Sequence, residues 1–280
     1  MGSLLAALAS WCDARHVGGV WRVRMEDLDP PREVPGAASD ILRTLEGFGL
    51  HWDGPVVYQS QRHASYADAL NFLKQNNRAY GCACTRKTLQ GHAVYPGHCR
   101  KGLESEQSVR SHRFDWGQQK GDWTDAVQGE CTWDSTEIGD FVIKRADGLW
   151  AYQLAVVVDD LEQGVNVVVR GSDLLDSTPK QLALRAALDP LAGSIRWAHL
   201  PLLVNAEGQK LSKQTLASAV EVAKAPGLLL AALKMLGQIS PGKSEPQALA
   251  DAGDVEGLLH WASQNWHLSQ VPSAPLQWQG

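Results

Sequence analysis

The chain opens on a largely apolar run, Gly2 to Trp11, that reads at full helical pitch from its start and predicts a helix over 3–16. Alternation then predicts a strand over 19–24, and a second helical period runs over 36–48 and ends near Gly49. Helix, strand and helix in succession is the grammar of an α/β fold. A third helix is predicted over 62–76, followed by a loop-like, Cys-rich stretch over 78–99 and a polar region over 101–129 with no clean period, read as loops and a hairpin. Strand patterns return over 140–145 and 164–170, the second an almost unbroken Val run that fits a strand buried on both faces. Residues 179–188 read as helix and 201–205 as extended. Beyond Thr215 several short helices are expected, separated by Pro226-Gly227, Pro241-Gly242 and Gly253, with the last ten residues a loose tail. The organisation is an α/β body interrupted by an insert and followed by a small helical region, with no internal repeat.

Composition narrows the class. The chain has 280 residues, 44% of them hydrophobic, enough to bury the core of one large domain or two modest ones. A charged fraction of 20% and eleven Trp exclude disorder and fibrous repeats. No apolar stretch approaches the ~18 residues of a membrane span, and no basic region precedes the opening helix as it would in a secretory signal, so a cytoplasmic setting without membrane contact is expected. The net charge of −5 excludes a uniformly cationic coat for nucleic acid. Locally, nine Lys or Arg between Ser60 and Arg113 face three acids, a balance of +6 that fits either a phosphate-following face or a solvated insert.

Three sites carry candidate chemistry. Cys82-Ala83-Cys84 and Cys99 lie among turn formers with Tyr95, His92 and His98 as possible fourth ligands, a set that suits tetrahedral zinc or, alternatively, a small core of free thiols. Cys12 and Cys131 are single and distant, and read as ordinary thiols. Five cysteines in this arrangement fit a reducing compartment better than a disulfide framework. Glu26, in Arg22-Val-Arg-Met-Glu26-Asp27-Leu-Asp29-Pro-Pro, runs off a predicted strand, where α/β sheets bind ligands; it either grips an ammonium group or is a solvated turn carboxylate. Lys210-Leu-Ser-Lys213 precedes a helix and brings two cations and a hydroxyl together, a device for phosphates in a chain with no glycine-rich phosphate loop.

Taken with Trp150-Ala-Tyr152-Gln-Leu-Ala-Val-Val-Val-Asp159-Asp160 and Val169-Arg170-Gly-Ser-Asp173-Leu, these segments resemble the catalytic part of class I glutamyl-tRNA synthetases over essentially the whole chain. Within that group the chain is most similar to the short glutamyl-Q tRNA(Asp) synthetases. Only 67 residues follow Lys213, too few for a large anticodon-binding domain.

The resemblance implies a Rossmann-like parallel sheet with a zinc-containing acceptor-type insert and a small C-terminal helical region. It divides the chain into a first part of the nucleotide-binding domain (1–76), the zinc insert (77–130), the second part of the catalytic domain with the lysine loop (131–214) and the helical region (215–280). It implies ATP-dependent activation of L-glutamate, with Mg²⁺, and transfer to the queuosine base at the wobble position of tRNA(Asp) by a monomer. Glu26 is expected to hold the substrate ammonium, Tyr152 to line the amino-acid pocket and Arg170 to pair with a substrate carboxylate. Lys210 and Lys213 are expected to act in the mobile loop, Lys213 on the departing pyrophosphate; Gln214 stands where these enzymes often have Arg. Cys82, Cys84, Tyr95 and Cys99 are implied as ligands of one structural zinc. His199 and Pro201 match a His-x-Pro segment whose histidine either touches ATP or packs. Members of the group open with an Arg- and Pro-rich strand and a His-x-Gly-x signature before the helix that here follows Met1 directly, so the resemblance implies a start upstream. Two other readings of the same residues are a non-catalytic tRNA-binding remnant and a glutamyl-tRNA synthetase-like fragment charging a tRNA 3′ end.

Overall fold

The computed structural model describes residues 1–205, 208–209, 220–240, 242 and 244–278. In chain order the elements are α1 (Gly2–His16), β1 (Arg24–Met25), α2 (Ala37–Gly47), β2 (Val57–Tyr58), α3 (His63–Gln75), β3 (Ala79–Cys82), β4 (Ser111–Phe114), β5 (Lys120–Asp125), β6 (Gly129–Asp134), α4 (Ser135–Ile138), β7 (Val142–Lys144), α5 (Tyr152–Glu162), β8 (Val167–Gly171), α6 (Thr178–Leu188), β9 (Arg196–Leu200), β10 (Leu203–Val204), α7 (Ala225–Met235), α8 (Glu245–Asp251), α9 (Val255–Gln264) and β11 (Leu276–Gln277). None of these helices is long and apolar enough to cross a membrane.

Four sheets organise the described residues. The largest has the order β6-β5-β9-β8, with β8 and β5 parallel to β9 and the β5–β6 hairpin antiparallel. An antiparallel sheet β3-β4-β7 lies apart from it, and β1–β2 and β10–β11 form short parallel pairs. Two cores hold these layers. The first joins Leu4, Leu5, Leu8 and Cys12 of α1 to α7, α9, Trp266 and the Ala198–Leu200 side of β9. The second packs Tyr66, Leu70 and Leu73 of α3 against Phe114, Ile143, Leu154 and Leu184.

The helices α1, α2, α3 and α6 form where the sequence places them, the last three on a one-sided apolar pattern. The differences have physical causes. The first strand shrinks from 19–24 to Arg24–Met25 because its partner β2 offers only two positions. The loop-like reading of 78–99 fails at its start, where β3 is stabilised by antiparallel pairing with β4 across thirty residues of sequence. The run after Ala151 is helical despite three consecutive Val residues. Leu154 to Asp160 are all buried in α5, and burial on every side removes the polar face that would have revealed the helical period. The Val run of β8 is half-buried at every position, as befits the edge strand of its sheet. Pro226-Gly227 does not separate helices; it lies in the first turn of α7, where a missing N–H costs no hydrogen bond. The C-terminal stretch read as a loose tail contains β11, which pairs with β10. Gly237 ends α7 at φ +72°, and a Cβ there would stand 2.4 Å from the Gln270 carbonyl oxygen, so the turn needs glycine.

Candidate active site and metal centre

The carboxyl ends of parallel strands are where this architecture leaves room for ligands. Glu26 follows β1, Tyr152 opens α5, and Arg170 sits at the end of β8. The fold brings the three within electrostatic reach of one another. Burial, and then Glu26, pushes the Tyr152 hydroxyl above the ordinary phenol range, with Arg170 acting in the opposite direction. Glu26 retains 40% of its side-chain surface. Burial raises its pKa; Arg24 opposes that rise, and Asp160 and Asp159 add to it.

Behind Glu26 lies a set of charges that no local pattern revealed. Arg24, with 14% of its side chain exposed, donates to Gln163 Oε1 at 2.7 Å, pairs with Asp160 Oδ1 at 2.9 Å and reaches Glu26 Oε1 at 3.4 Å. Asp159 has no exposed side-chain surface and accepts from Gln59 Nε2 at 2.8 Å, Arg62 Nε at 2.6 Å and Tyr66 Oη at 2.9 Å. Two acids inside an otherwise apolar run were the available signal, because buried carboxylates require partners.

Arg170 is held on all sides. Its Nε donates to His199 Nε2 at 3.0 Å, Nη1 to Gln181 Oε1 at 2.8 Å and Tyr152 Oη at 3.4 Å, and Nη2 to Thr178 Oγ1 at 2.9 Å and the Leu174 carbonyl at 3.2 Å. Its guanidinium carbon also lies 5.0 Å from the centre of the Trp197 ring. Burial lowers its pKa, against Tyr152, Asp160 and Glu26, but a guanidinium remains charged. His199, left open between contact with ATP and packing, is fully buried under Arg170. Lys210 and Lys213 lie outside the described residues. Ahead of them, Asn205 Oδ1 accepts from the Gln209 N–H at 2.8 Å.

The metal-type donors are brought together in the insert. Cys82 ends β3, and the Sγ atoms of Cys82, Cys84 and Cys99 all lie within 4.8 Å of one another. Cys84 and Cys99 Sγ are 3.6 Å apart, and Tyr95 Oη stands 3.5 Å from Cys82 Sγ and 3.8 Å from Cys84 Sγ. Sulfurs around a tetrahedral ion with bonds of about 2.3 Å stand about 3.8 Å apart, so these spacings fit such an ion. His92 and His98 instead face each other, with ring centres 5.9 Å apart. Arg113 Nε donates to Cys82 Sγ at 3.4 Å, and its guanidinium lies 3.8 Å from the Tyr95 ring centre. Burial disfavours the Cys82 thiolate, but hydrogen bonds from Tyr95 and Arg113 outweigh it and bring the thiol down to about 7.

The +6 segment is less free than its composition implies. Arg62 pairs with Asp159 and Glu162, Arg100 with Asp140, Arg113 with the thiol cluster, and Arg78 lies over Phe114. Lys74, Arg86, Lys87, Lys101 and Arg110 remain on the exposed surface, against exposed Asp68, Glu104 and Glu106.

Residues 1–237 match the family described as tRNA synthetases class I (E and Q), catalytic domain. The chain is 53% identical over 286 residues to a Glutamyl-Q tRNA(Asp) synthetase of Chromobacterium violaceum, spanning 99% of this chain and 92% of that protein. It is 48% identical over 285 residues to a Glutamyl-Q tRNA(Asp) synthetase of Dechloromonas aromatica, spanning 98% and 92%. Among solved structures, a glutamate tRNA ligase from Elizabethkingia meningosepticum superposes with a TM-score of 0.79 at 22% identity over 99% of this chain, a likeness that shows the shared fold. The chain spans 64% of that ligase's length, and 65% of the glutamate-tRNA synthetase of Elizabethkingia anophelis, which also gives a TM-score of 0.79.

Proposed function

Since the chain belongs to the family of class I (E and Q) tRNA synthetase catalytic domains, we propose that it activates L-glutamate with ATP and transfers it to the queuosine base of tRNA(Asp). The observation that carries this reading is the 53% identity, over 99% of the chain, to a relative named for that reaction. The convergence of Glu26, Tyr152 and Arg170 supports it. An amino acid needs an anion for its ammonium and a cation for a carboxylate, and Glu26 and Arg170 both act electrostatically on the Tyr152 phenol.

In the first step a glutamate carboxylate oxygen attacks the α-phosphorus of ATP, and pyrophosphate leaves. In the second a hydroxyl oxygen of the queuosine ring attacks the activated carbonyl; its proton is lost to solvent and AMP departs. Neither step demands a strong acid or base, so positioning and charge neutralisation carry the catalysis. Glu26 orients the substrate ammonium, its own position set by Arg24, which Asp160 in turn holds. Lys210 and Lys213 belong to the loop we assign to the departing pyrophosphate, and Mg²⁺ accompanying ATP would supply further positive charge.

Cys82, Cys84, Tyr95 and Cys99 would hold one structural Zn²⁺, which crosslinks the insert; four protein donors leave it no position for substrate. We retain 1–76 and 131–214 as the two parts of the catalytic domain, 77–130 as the insert and 215–280 as the helical region. The exposed cations of the insert make it a candidate face for tRNA phosphates, and the expected setting is cytoplasmic.

The test is radiolabelled pyrophosphate exchange into ATP dependent on glutamate, followed by transfer of labelled glutamate to tRNA(Asp) with and without queuosine. Exchange, and transfer to the queuosine-containing tRNA alone, is expected. Equal transfer to both tRNAs refutes the base assignment, and absence of exchange refutes the enzyme.

A further inference from the structure

We propose that Asp125 and His199 form a relay that positions Arg170, with His199 held as its Nδ1–H tautomer; the part played in amino-acid binding rests on the function proposed above. Asp125, His199 and Arg170 lie on three successive strands of one sheet. In the β8–β9 register Arg170 faces His199, and the β5–β9 pairing places Asp125 opposite Trp197, two residues before that histidine. The contact is therefore written into the parallel register.

The hydrogen bonds determine the tautomer. Arg170 Nε can only donate, and it points at His199 Nε2 at 3.0 Å, so Nε2 must present a lone pair; the Thr178 hydroxyl, 3.2 Å from the same nitrogen, accepts from Arg170 Nη2 and so donates to it as well. The other ring nitrogen, Nδ1, lies 2.5 Å from Asp125 Oδ2 and carries the proton. Asp125 Oδ1 is in turn fixed by the backbone N–H groups of Val127, Gln128 and His199 at 3.0, 2.9 and 3.0 Å. Neither side chain of the Asp125–His199 pair has exposed surface, so both are out of reach of substrate. Their effect passes through Arg170.

This arrangement explains how Arg170 can bind a ligand although all five of its N–H groups already have partners. The longest of those contacts, Nη1 to Tyr152 Oη at 3.4 Å and Nη2 to the Leu174 carbonyl at 3.2 Å, are the ones a stronger acceptor would displace. A carboxylate oxygen is such an acceptor. Throughout the exchange Nε remains bound to His199, and the guanidinium plane keeps its orientation over Trp197.

Asp125→Asn is the discriminating variant. It keeps an oxygen for the backbone N–H groups, but with that oxygen so engaged the amide NH₂ faces Nδ1, which forces His199 into the Nε2–H tautomer and sets two donors against each other at Arg170. The KM for glutamate in pyrophosphate exchange is expected to rise tenfold or more, with the KM for ATP within twofold of the native value. His199→Gln, whose amide oxygen extends toward the position of Nε2, is expected to stay within threefold, whereas His199→Met loses the acceptor and follows Asp125→Asn. A role confined to stability would lower the melting temperature of all three without a glutamate-specific change. Long-range ¹H–¹⁵N spectra of the full chain, with His199 identified by its loss in His199→Gln, are expected to show Nδ1–H in the native protein and Nε2–H in Asp125→Asn. An imidazolium or Nε2–H form in the native protein overturns the relay, as does an unchanged glutamate KM in Asp125→Asn. If the native chain shows no glutamate exchange, the functional reading fails, while the spectra still decide the relay.

Discussion

Asp125 is the residue whose ionisation is most closely bound to the fold. Burial disfavours its charge, but hydrogen bonds from His199, Gln128 and Val127 outweigh that cost and bring its pKa from 3.8 down to about 2. A carboxyl with a depressed folded pKa stabilises the native state above its unfolded pKa, and that contribution is lost as pH falls from about 4 through about 2. Asp125→Asn has no such ionisation. The difference in urea-unfolding free energy between native protein and variant should therefore shrink by about 1 kcal/mol between pH 5 and pH 3; a difference that grows on acidification contradicts the charged, hydrogen-bonded state of Asp125. Asp159 is enclosed by side chains: Gln59, Arg62 and Tyr66 converge on a carboxylate without exposed surface. The raised pKa of the Tyr66 hydroxyl, caused first by burial and then by Asp159, keeps that phenol a donor.

Between β3 and β4 the chain runs from 83 to 110 without a helix or strand. Loops of this length in a compact domain need their own support, and here the thiols of Cys82, Cys84 and Cys99, with Tyr95 beside them, converge where little apolar surface is available. Gly139 adds a tight contact: at φ +73°, a Cβ there would stand 2.5 Å from Val94 Cγ1. Removal of the zinc proposed for this cluster should therefore act on this segment first. Chelation, or Cys99→Ser, is expected to release one equivalent of zinc by atomic emission and to open the exposed Arg86, Lys87, Lys101 and Arg110 to trypsin, with little change in far-ultraviolet circular dichroism. Protection of those bonds after complete metal loss would show that packing alone holds the insert.

Across the whole molecule, the first helix and the C-terminal helices share one core. Asp13 of α1 pairs with Arg196 of β9 and accepts from Trp266 Nε1 at 3.2 Å, and Trp266 itself is 1% exposed. Trp266→Ala should cost about 3–5 kcal/mol, the range for emptying a buried aromatic site, and unfolding should remain one transition because β9 carries both this core and His199. A separate early transition in urea, with the amino-acid site intact, would contradict that coupling. Legible along the chain is what repeats locally or depends on residue type: α2, α3 and α6 from their one-sided apolar patterns, the candidate metal cluster from Cys82, Cys84 and Cys99, and the class I resemblance from motifs read in order. The tertiary structure alone decided the rest. The identity of α5 was hidden because a helix buried on all sides has no polar face, and β3 required a partner far along the chain. Asp125, His199 and Arg170 are separated by 74 and 29 residues, and Asp159 by about 100 from Gln59 and Arg62. No local period encodes such pairs, because the free energy that selects them, the satisfaction of buried polar groups, exists only after the strands have come into register.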